Sequence, residues 1–349
     1  MPPIPRPRTV VIAPDSFKGS IAAGPAAAAL ATGWKSVRPG DRVIRLPMAD
    51  GGEGTIDAVA PPVPDAERVP VRVTGPDDRP VSTHWLRLPD GSAIVELAAC
   101  SGLTQLGSGF RPRTAHTLGS GEAIRAAAEA RTVFVALGGS SSSDGGSGIL
   151  VGLGARLLDA AGRELAPGNA SLEEVAAVDL QGLGPLPAEG LVAWTDVRSP
   201  LLGPDGAVAV FGPQKGLSGD EADRAERALR HWASVLGGDP DLPGAGAAGG
   251  AGYGLASIGA RLTGGADAVA ELIGLDEAAA GADLVITGEG RFDSQSARGK
   301  VVSRVCTAAP GVPVALVAGR IEGERERVTP PPPLPEPAAP AQDPLPDAP

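Results

Sequence analysis

Seven carboxylates lie in glycine-containing or polar loops at the ends of apolar, strand-like segments. They are Asp15, Asp50, Glu53, Asp144, Asp196, Glu289 and Asp293. A single carboxylate in such a place is usually a helix cap or an Asx turn. In an open α/β sheet, however, ligands bind beyond the carboxyl ends of the strands. Seven carboxylates in that topological position therefore predict one shared site, suited to binding Mg²⁺ and to accepting a hydroxyl proton during phosphoryl transfer.

Two lysines accompany these loops. Lys18 lies one turn beyond the strand-like TVVIA, and Lys300 follows the segment TGEGRFDSQSARG. Proteins commonly bind phosphate with glycine loops, helix N-termini and a lysine. A surface position is the plain alternative for each lysine. The place of Lys18 one turn beyond the strand favours contact with phosphate, whereas for Lys300 both interpretations stay open. The loop residues expected to line the same site are Asp15, Ser16, Gly51, Gly52, Gly138, Gly139, Ser140, Gly288 and Gly290.

Other phosphate-handling and hydrolytic motifs do not fit the chain. The P-loop pattern fails around Lys300, because Ser294 stands in place of its first glycine and Val301 follows the lysine. The run from Ser140 to Ser143 lacks the G-x-S-x-G context of a hydrolase nucleophile. The sequence thus favours neither a P-loop enzyme nor a serine hydrolase.

A glycine-rich run near residue 244 matches the dinucleotide fingerprint G-x-G-x-x-G through Gly244, Gly246 and Gly249. That fingerprint functions when it follows a strand and begins a helix, whereas DPDLP precedes it here. A nicotinamide-dependent oxidoreductase is therefore a remote alternative, which measurement of NAD(H) binding would test.

Composition restricts the remaining classes. With a net charge of -11 and a pI near 4.9, the chain lacks the basic face that nucleic-acid binding needs. No stretch approaches eighteen apolar residues, and the first ten residues do not resemble a signal peptide, so we expect a cytoplasmic protein without membrane attachment. Two distant cysteines, Cys100 and Cys306, do not form a disulfide framework.

The order of predicted elements indicates an α/β fold. A strand, helix, strand and helix follow one another from Thr9, which is typical of a parallel sheet. From Val69 the apolar spacing changes to period two, broken by turns that favour antiparallel strands. The segment ILVGLGARLLDAA is expected to be helical, and residues 218–236 form the clearest helix, with Ser218 and Glu221 as a capping box.

Several segments, in order, resemble the signature motifs of the type I glycerate kinases. They are APDSFKGS, PMADGGEGT, VELAACSGL, LGGSSSSDGG, TDV with PLLGPDGAVAVFGPQKG, PGAGAAGG and TGEGRFDSQSARGK, spread over about nine-tenths of the chain. The resemblance implies an enzyme that uses ATP and Mg²⁺ to phosphorylate D-glycerate at its 2- or 3-hydroxyl. It leaves the oligomeric state open.

The resemblance also implies a fold, and the roles of the site residues are our own assignment within it. A Rossmann-like, parallel-sheet domain formed by both chain ends, residues 1–68 and 282–321, is expected to carry an inserted α/β domain, residues 69–281. We expect Asp50, Glu53 and Asp144 to be the metal ligands. The expected catalytic residues are Lys18, Asp196 and Asp293.

The chain departs from the family pattern at three places. Ser143 and Ser199 replace asparagines that the family usually has, and ten of the last twenty residues are proline. Residues 322–349 are therefore expected to be disordered, and a frameshift or truncation near Ile321 is a hypothesis for their origin. These departures keep open a catalytically impaired descendant that binds nucleotide or glycerate without turnover.

Overall fold

The computed structural model describes residues 6–107, 109–292 and 301–321. Two expected site residues, Asp293 and Lys300, lie outside the described residues, as does the segment 322–349 that we predict to be disordered. None of the described helices is both long and apolar enough to span a membrane.

Twelve strands and eleven α-helices are found in the described part of the chain. The strands are β1 (Thr9–Ile12), β2 (Arg42–Arg45), β3 (Glu67–Thr74), β4 (Pro80–Arg87), β5 (Ala93–Glu96), β6 (Val133–Ala136), β7 (Arg156–Leu158), β8 (Ala177–Asp179), β9 (Leu191–Trp194), β10 (Arg261–Thr263), β11 (Leu284–Phe292) and β12 (Val314–Ile321). The helices are α1 (Ala23–Val37), α2 (Thr55–Val59), α3 (Leu97–Ser101), α4 (Leu118–Ala126), α5 (Ser147–Leu153), α6 (Ala207–Phe211), α7 (Gly219–Leu236), α8 (Ala247–Ser257), α9 (Gly265–Leu272), α10 (Leu275–Ala280) and α11 (Val301–Ala308).

Both ends of the chain build one parallel sheet, in the order β12-β11-β1-β2. The apolar run of β1 is buried on both faces, as is usual for a strand inside a parallel sheet. Val10 and Ile12 face Ala27 of α1, whereas Val11 faces a larger cluster that contains Val305 of α11. This sheet confirms the predicted α/β class and the parallel sheet formed by both chain ends.

The middle of the chain forms a six-stranded sheet in the order β10-β9-β6-β5-β4-β3. Its first strands, β3, β4 and β5, pair antiparallel, which confirms the prediction made from the turns after Val69. The other strands pair in parallel. The domain bounds at residues 69 and 282 remain a prediction. One apolar cluster contains Val11 and Val285 of the first sheet together with Ile94 and Trp194 of the second.

Two local predictions were wrong. The helix expected over residues 149–161 ends at Leu153, because Gly154 has a φ of 113° and a Cβ there would lie 2.2 Å from the Gly182 carbonyl oxygen; residues 156–158 form β7 instead. Ser218 is the N-cap residue of α7, but its side chain makes no capping hydrogen bond, so the predicted capping box is absent.

Candidate active site

A cavity of about 1090 Å³ opens where loops from the two sheets meet. Its walls come from the segments that follow β1, β2, β5, β6 and β9, and from the ends of α6 and α8. The structure thus brings together most of the residues predicted to form the site. Those that line the cavity are Asp15, Ser16, Lys18, Asp50, Gly51, Gly52, Glu53, Gly138, Gly139, Ser140 and Asp196.

Glycines let the loops of the two sheets touch. The Gly138 N–H donates to the Gly51 carbonyl oxygen at 3.1 Å. A Cβ on Gly138 would lie only 2.4 Å from the Gly52 Cα, so no other residue fits without a backbone shift. Gly51 has a φ of 82°, and a Cβ there would lie 2.9 Å from the Trp194 Cβ. The glycines predicted as phosphate contacts therefore also have a packing role.

Three carboxylates influence one another in the cavity. Burial, and after it the negative charge of Asp50, raises the pKa of Asp15 to about 7. The same two causes raise the pKa of Asp196 to about 6. Asp50 Oδ1 accepts a hydrogen bond from the Gly52 N–H at 3.0 Å, which fixes the loop that carries it. Crowded carboxylates of this kind favour a bound cation or a bound proton.

Asp196 is held at the N-terminus of α9. Its Oδ1 accepts a hydrogen bond from the Gly265 N–H at 2.8 Å. Its Oδ2 is buried and has no hydrogen-bond partner among the residues that the structure describes. Asp196 therefore has one oxygen held by the backbone and one without a described partner, and its pKa suits proton transfer near neutral pH.

A pair of the cavity carboxylates fits a Mg²⁺ ion, whereas the predicted trio of metal ligands does not. Within the described residues, no three His, Cys, Asp or Glu side chains form a cluster able to hold a metal, and the predicted trio Asp50, Glu53 and Asp144 is not one. Mg²⁺, however, usually binds one or two carboxylates and completes its shell with water and phosphate. Asp15 and Asp50, which are close enough to interact electrostatically, fit that requirement.

Asp144 does not line the cavity, contrary to its prediction as a metal ligand. Its side chain is fully buried. Its Oδ2 accepts hydrogen bonds from the Thr117 N–H and hydroxyl, each at 2.8 Å, and from the Gly148 N–H at 3.1 Å, and its Oδ1 accepts one from the Gly146 N–H at 3.2 Å. These donors occupy the carboxylate, which joins the starts of α4 and α5.

Gly288 and Gly290 were expected in a loop beside the phosphate, but they lie inside β11 and do not line the cavity. The Gly288 carbonyl oxygen accepts a hydrogen bond from the Asp15 N–H at 2.8 Å. A Cβ on Gly290 would lie 3.2 Å from the backbone nitrogen of Lys18. Both glycines thus support the loop that carries Asp15 and Lys18.

Sequence reasoning missed Glu96 at the end of β5. It is 6% exposed, and its carboxylate accepts hydrogen bonds from the Gly54 N–H at 2.9 Å and the Ile56 N–H at 3.1 Å. Burial raises its pKa above the ordinary value. Glu96 therefore holds the start of α2 and, through it, the loop after Asp50. In the sequence, Glu96 is the one acidic residue in the apolar run AIVEL, and that position could have marked it as a site residue.

Lys215 was also missed as a site residue, although it lies in the quoted segment GPQKG. Its side chain is 2% exposed and lines the cavity, whereas Lys18 is exposed. Its Nζ donates hydrogen bonds to Ser140 Oγ at 2.7 Å and to the Ser142 carbonyl oxygen at 2.5 Å. Burial lowers its pKa to about 7, against the opposing effect of Asp144. Lys18 and Lys215 are the two cationic side chains among the described lining residues.

Comparison with known proteins identifies the family of the chain. A sequence profile of the glycerate kinase family matches residues 10–330. The chain is 42% identical over 332 residues to a glycerate kinase of Bacillus subtilis, covering 91% of this chain and 87% of that one. It is 40% identical over 325 residues to a glycerate 2-kinase of Escherichia coli, covering 89% and 85%.

A solved structure supports the same relationship. The crystal structure of a protein described as a glycerate kinase 2, from Salmonella typhimurium LT2, aligns with a TM-score of 0.79 and 39% identity, covering 90% of this chain and 87% of that one. Sequence profile, relatives and fold agree over nearly the whole chain, and the chain therefore belongs to the glycerate kinase family.

Proposed function

We propose that this protein transfers the γ-phosphoryl group of ATP to a hydroxyl of D-glycerate. The observation that carries the proposal is the cavity, in which interacting carboxylates and two lysines are assembled from loops of both sheets. Phosphoryl transfer depends mainly on positioning and on neutralising charge, with one group to accept the hydroxyl proton. The family relationship supports the same reaction.

Asp196 is the proton acceptor in this proposal. Its Oδ1 is anchored by the Gly265 N–H, so that Oδ2 has a fixed position in which to accept a hydroxyl proton. A carboxylate with a pKa of about 6 is ionised at neutral pH but is more basic than an ordinary aspartate. Asp293, the other predicted acid–base group, lies outside the described residues.

Asp15 and Asp50 would hold Mg²⁺ together with the nucleotide phosphates. When bound, Mg²⁺ would neutralise charge on the phosphate oxygens. Lys18, exposed on the same wall, supplies a further positive charge, and its flexible side chain can contact the phosphates of the nucleotide. The Gly52 N–H donates to Asp50 and the Gly138 N–H to Gly51, so we assign the phosphate-facing backbone N–H group to Gly139.

The substitutions that suggested an impaired enzyme lie away from the cavity. Ser143 is fully buried, and neither it nor Ser199 lines the cavity. The Ser143 carbonyl oxygen accepts a hydrogen bond from Asn169 Nδ2 at 2.9 Å, and the Ser199 carbonyl oxygen accepts one from the Gly246 N–H at 2.9 Å. Both contacts use the backbone, so a serine can make them as an asparagine can.

Turnover is the direct test. Purified full-length protein is mixed with ATP, Mg²⁺ and D-glycerate, and ADP release is followed in a coupled assay. We expect ADP release that depends on D-glycerate, whereas nucleotide binding without such release would favour the impaired descendant. NMR of the product identifies the hydroxyl, for which we propose the 2-position because the E. coli relative is named a glycerate 2-kinase. The reaction consumes ATP, and we place it in the cytoplasm.

A further inference from the structure

The side-chain nitrogen of Lys215 is buried on the cavity wall and has no counter-ion among the residues that the structure describes. Its two hydrogen-bond acceptors, Ser140 Oγ and the Ser142 carbonyl oxygen, are neutral. The negative charge of Asp144 acts to raise the pKa of Lys215. Among the described residues, however, the two side chains form no ion pair, because the oxygens of Asp144 accept hydrogen bonds from Thr117 and from the start of α5. Buried charges in proteins are normally paired. One N–H of this ammonium is left without a described acceptor.

The chain makes a specific space for this group. Ala248, Gly249 and Gly250 have φ values of 54°, 70° and 93°, and they interrupt the start of α8. A Cβ on Gly249 would lie 2.0 Å from the Ser142 carbonyl oxygen and 2.9 Å from Lys215 Nζ. The glycine-rich run that resembled a dinucleotide fingerprint is thus used to bring Lys215 against the loop after β6.

The position of Lys215 indicates which anion it meets. β6 and β9 pair in parallel, with Ala136 opposite Trp194, so the loop that carries Ser140 runs beside the loop that carries Asp196. Lys18 instead lies on the β1 side, beside Asp15. A long, metal-bound polyphosphate suits the exposed wall at Lys18, and a small anion suits the enclosed wall at Lys215.

We propose that Lys215 Nζ and the Ser140 hydroxyl bind the carboxylate of the acceptor hydroxy acid and so direct its hydroxyl towards Asp196. Ser140 Oγ accepts a hydrogen bond from Lys215, which leaves its own O–H to donate to an anion. The assignment rests on the proposed function and adds the group that recognises the acid. It makes Lys215 a specificity residue, because a neutral analogue would leave a buried charge unpaired.

The test compares D-glycerate with D-glyceramide, its neutral amide, in the wild type and in Lys215→Met. The wild type is expected to prefer the acid strongly in kcat/KM. In the variant we expect that preference to fall by roughly 10²-fold, since loss of a buried charge partner has effects of this size, while the KM for ATP changes less than about threefold. An equal loss on both substrates, or a rise confined to the KM for ATP, would overturn the assignment.

Two further measurements distinguish a failure of this assignment from a failure of the proposed function. Ser140→Ala removes the hydroxyl proposed to bind the carboxylate, with little change in volume. It should lower the preference for the acid over the amide by roughly tenfold. An unchanged preference in this variant contradicts the proposal even if Lys215→Met does not fold. Calorimetric binding of D-glycerate is measured alongside turnover. Binding that depends on Lys215 without ADP release would contradict the proposed function alone, whereas turnover without dependence on Lys215 would contradict this inference alone.

Discussion

Gly138 and Gly51 are joined by a backbone hydrogen bond of 3.1 Å that links the two sheets at the cavity. Gly51 follows β2 of the four-stranded sheet, and Gly138 follows β6 of the six-stranded sheet. The groups proposed to hold phosphate and metal come from both loops. Their relative position therefore depends on a contact between two backbones that only glycine permits.

Gly138→Ala should separate these loops, because its Cβ would lie 2.4 Å from the Gly52 Cα, a backbone atom that cannot rotate away. We expect kcat/KM to fall by roughly 10²-fold or more, since displacing a reacting group by about 1 Å has effects of that size. The matched control is Gly33→Ala in α1, where a Cβ meets nothing within 4 Å. It should keep full activity and gain about 0.5–1 kcal/mol of stability. Equal activity in the two variants would contradict the role of Gly138.

The convergence of the loops was predictable from the sequence, because the strand-then-glycine pattern recurs and topology brings strand ends together. The direction of each side chain was not predictable. Asp144 follows a strand as Asp196 does, but Thr117, distant in sequence, supplies donors that turn its carboxylate inwards. Gly288 lies within β11 because pairing with β12 extends that strand to Phe292, beyond its apolar run.

Lys215 could not be identified as a site residue from the sequence, for a related reason. It follows a helix and not a strand, so the strand-end rule does not apply to it. Its burial depends on the left-handed residues around Gly249, which the sequence shows only as a glycine-rich run. A contact that needs two segments far apart in sequence cannot be found from either one alone.

Asp15→Asn should change how stability depends on pH. The pKa of Asp15 is about 7 in the folded protein and 3.8 as its ordinary value, so the folded state binds the proton more tightly than the unfolded state. This contribution to stability is complete below pH about 4 and is lost as the pH rises through 7. Without Mg²⁺ or nucleotide, we expect the variant to be more stable than the wild type by about 2–4 kcal/mol at pH 8 and equal to it near pH 4. Urea unfolding at several pH values measures this, and parallel curves for the two proteins would refute it.

Asp196→Asn tests the proton acceptor. The amide oxygen can still accept the hydrogen bond from the Gly265 N–H, so the fold should be retained. We expect kcat to fall by roughly 10²–10⁴-fold, the usual contribution of a general base. In the wild type, activity should decline as the pH falls through about 6, because protonated Asp196 cannot accept the proton. The residual activity of the variant should not show that decline. More than a tenth of wild-type kcat in the variant would assign the proton to another group.

Lys18→Ala tests the phosphate wall. Lys18 is exposed, so its loss should leave the melting temperature nearly unchanged. Removing a charge positioned for phosphate should lower phosphoryl transfer by roughly 10²-fold or more. The control is Lys35→Ala, another exposed lysine, which donates to the Pro39 and Asp41 carbonyl oxygens and does not line the cavity. Near-normal turnover in both variants would show that Lys18 does not contact phosphate.

Glu96→Gln tests whether a residue that need not touch substrate prepares the site. The two carboxylate oxygens of Glu96 accept hydrogen bonds from the Gly54 and Ile56 N–H groups, both of which are donors. A glutamine of the same size keeps one acceptor and turns its NH₂ group towards the other donor, leaving a buried N–H unpaired. We expect a loss of about 1–3 kcal/mol in the free energy of unfolding.

Activity should fall in the same variant, because the loop that carries Asp50 and Gly52 leads directly into the helix start that Glu96 holds. The comparison variant is Glu67→Gln, which alters an exposed ion pair with Arg87 and should change stability by less than about 1 kcal/mol. Urea unfolding and kcat/KM are measured for both variants. If Glu96→Gln behaves like Glu67→Gln in both measurements, the loop does not depend on Glu96, and the order of the Asp50 segment must come from its own glycines and from the contact between Gly51 and Gly138.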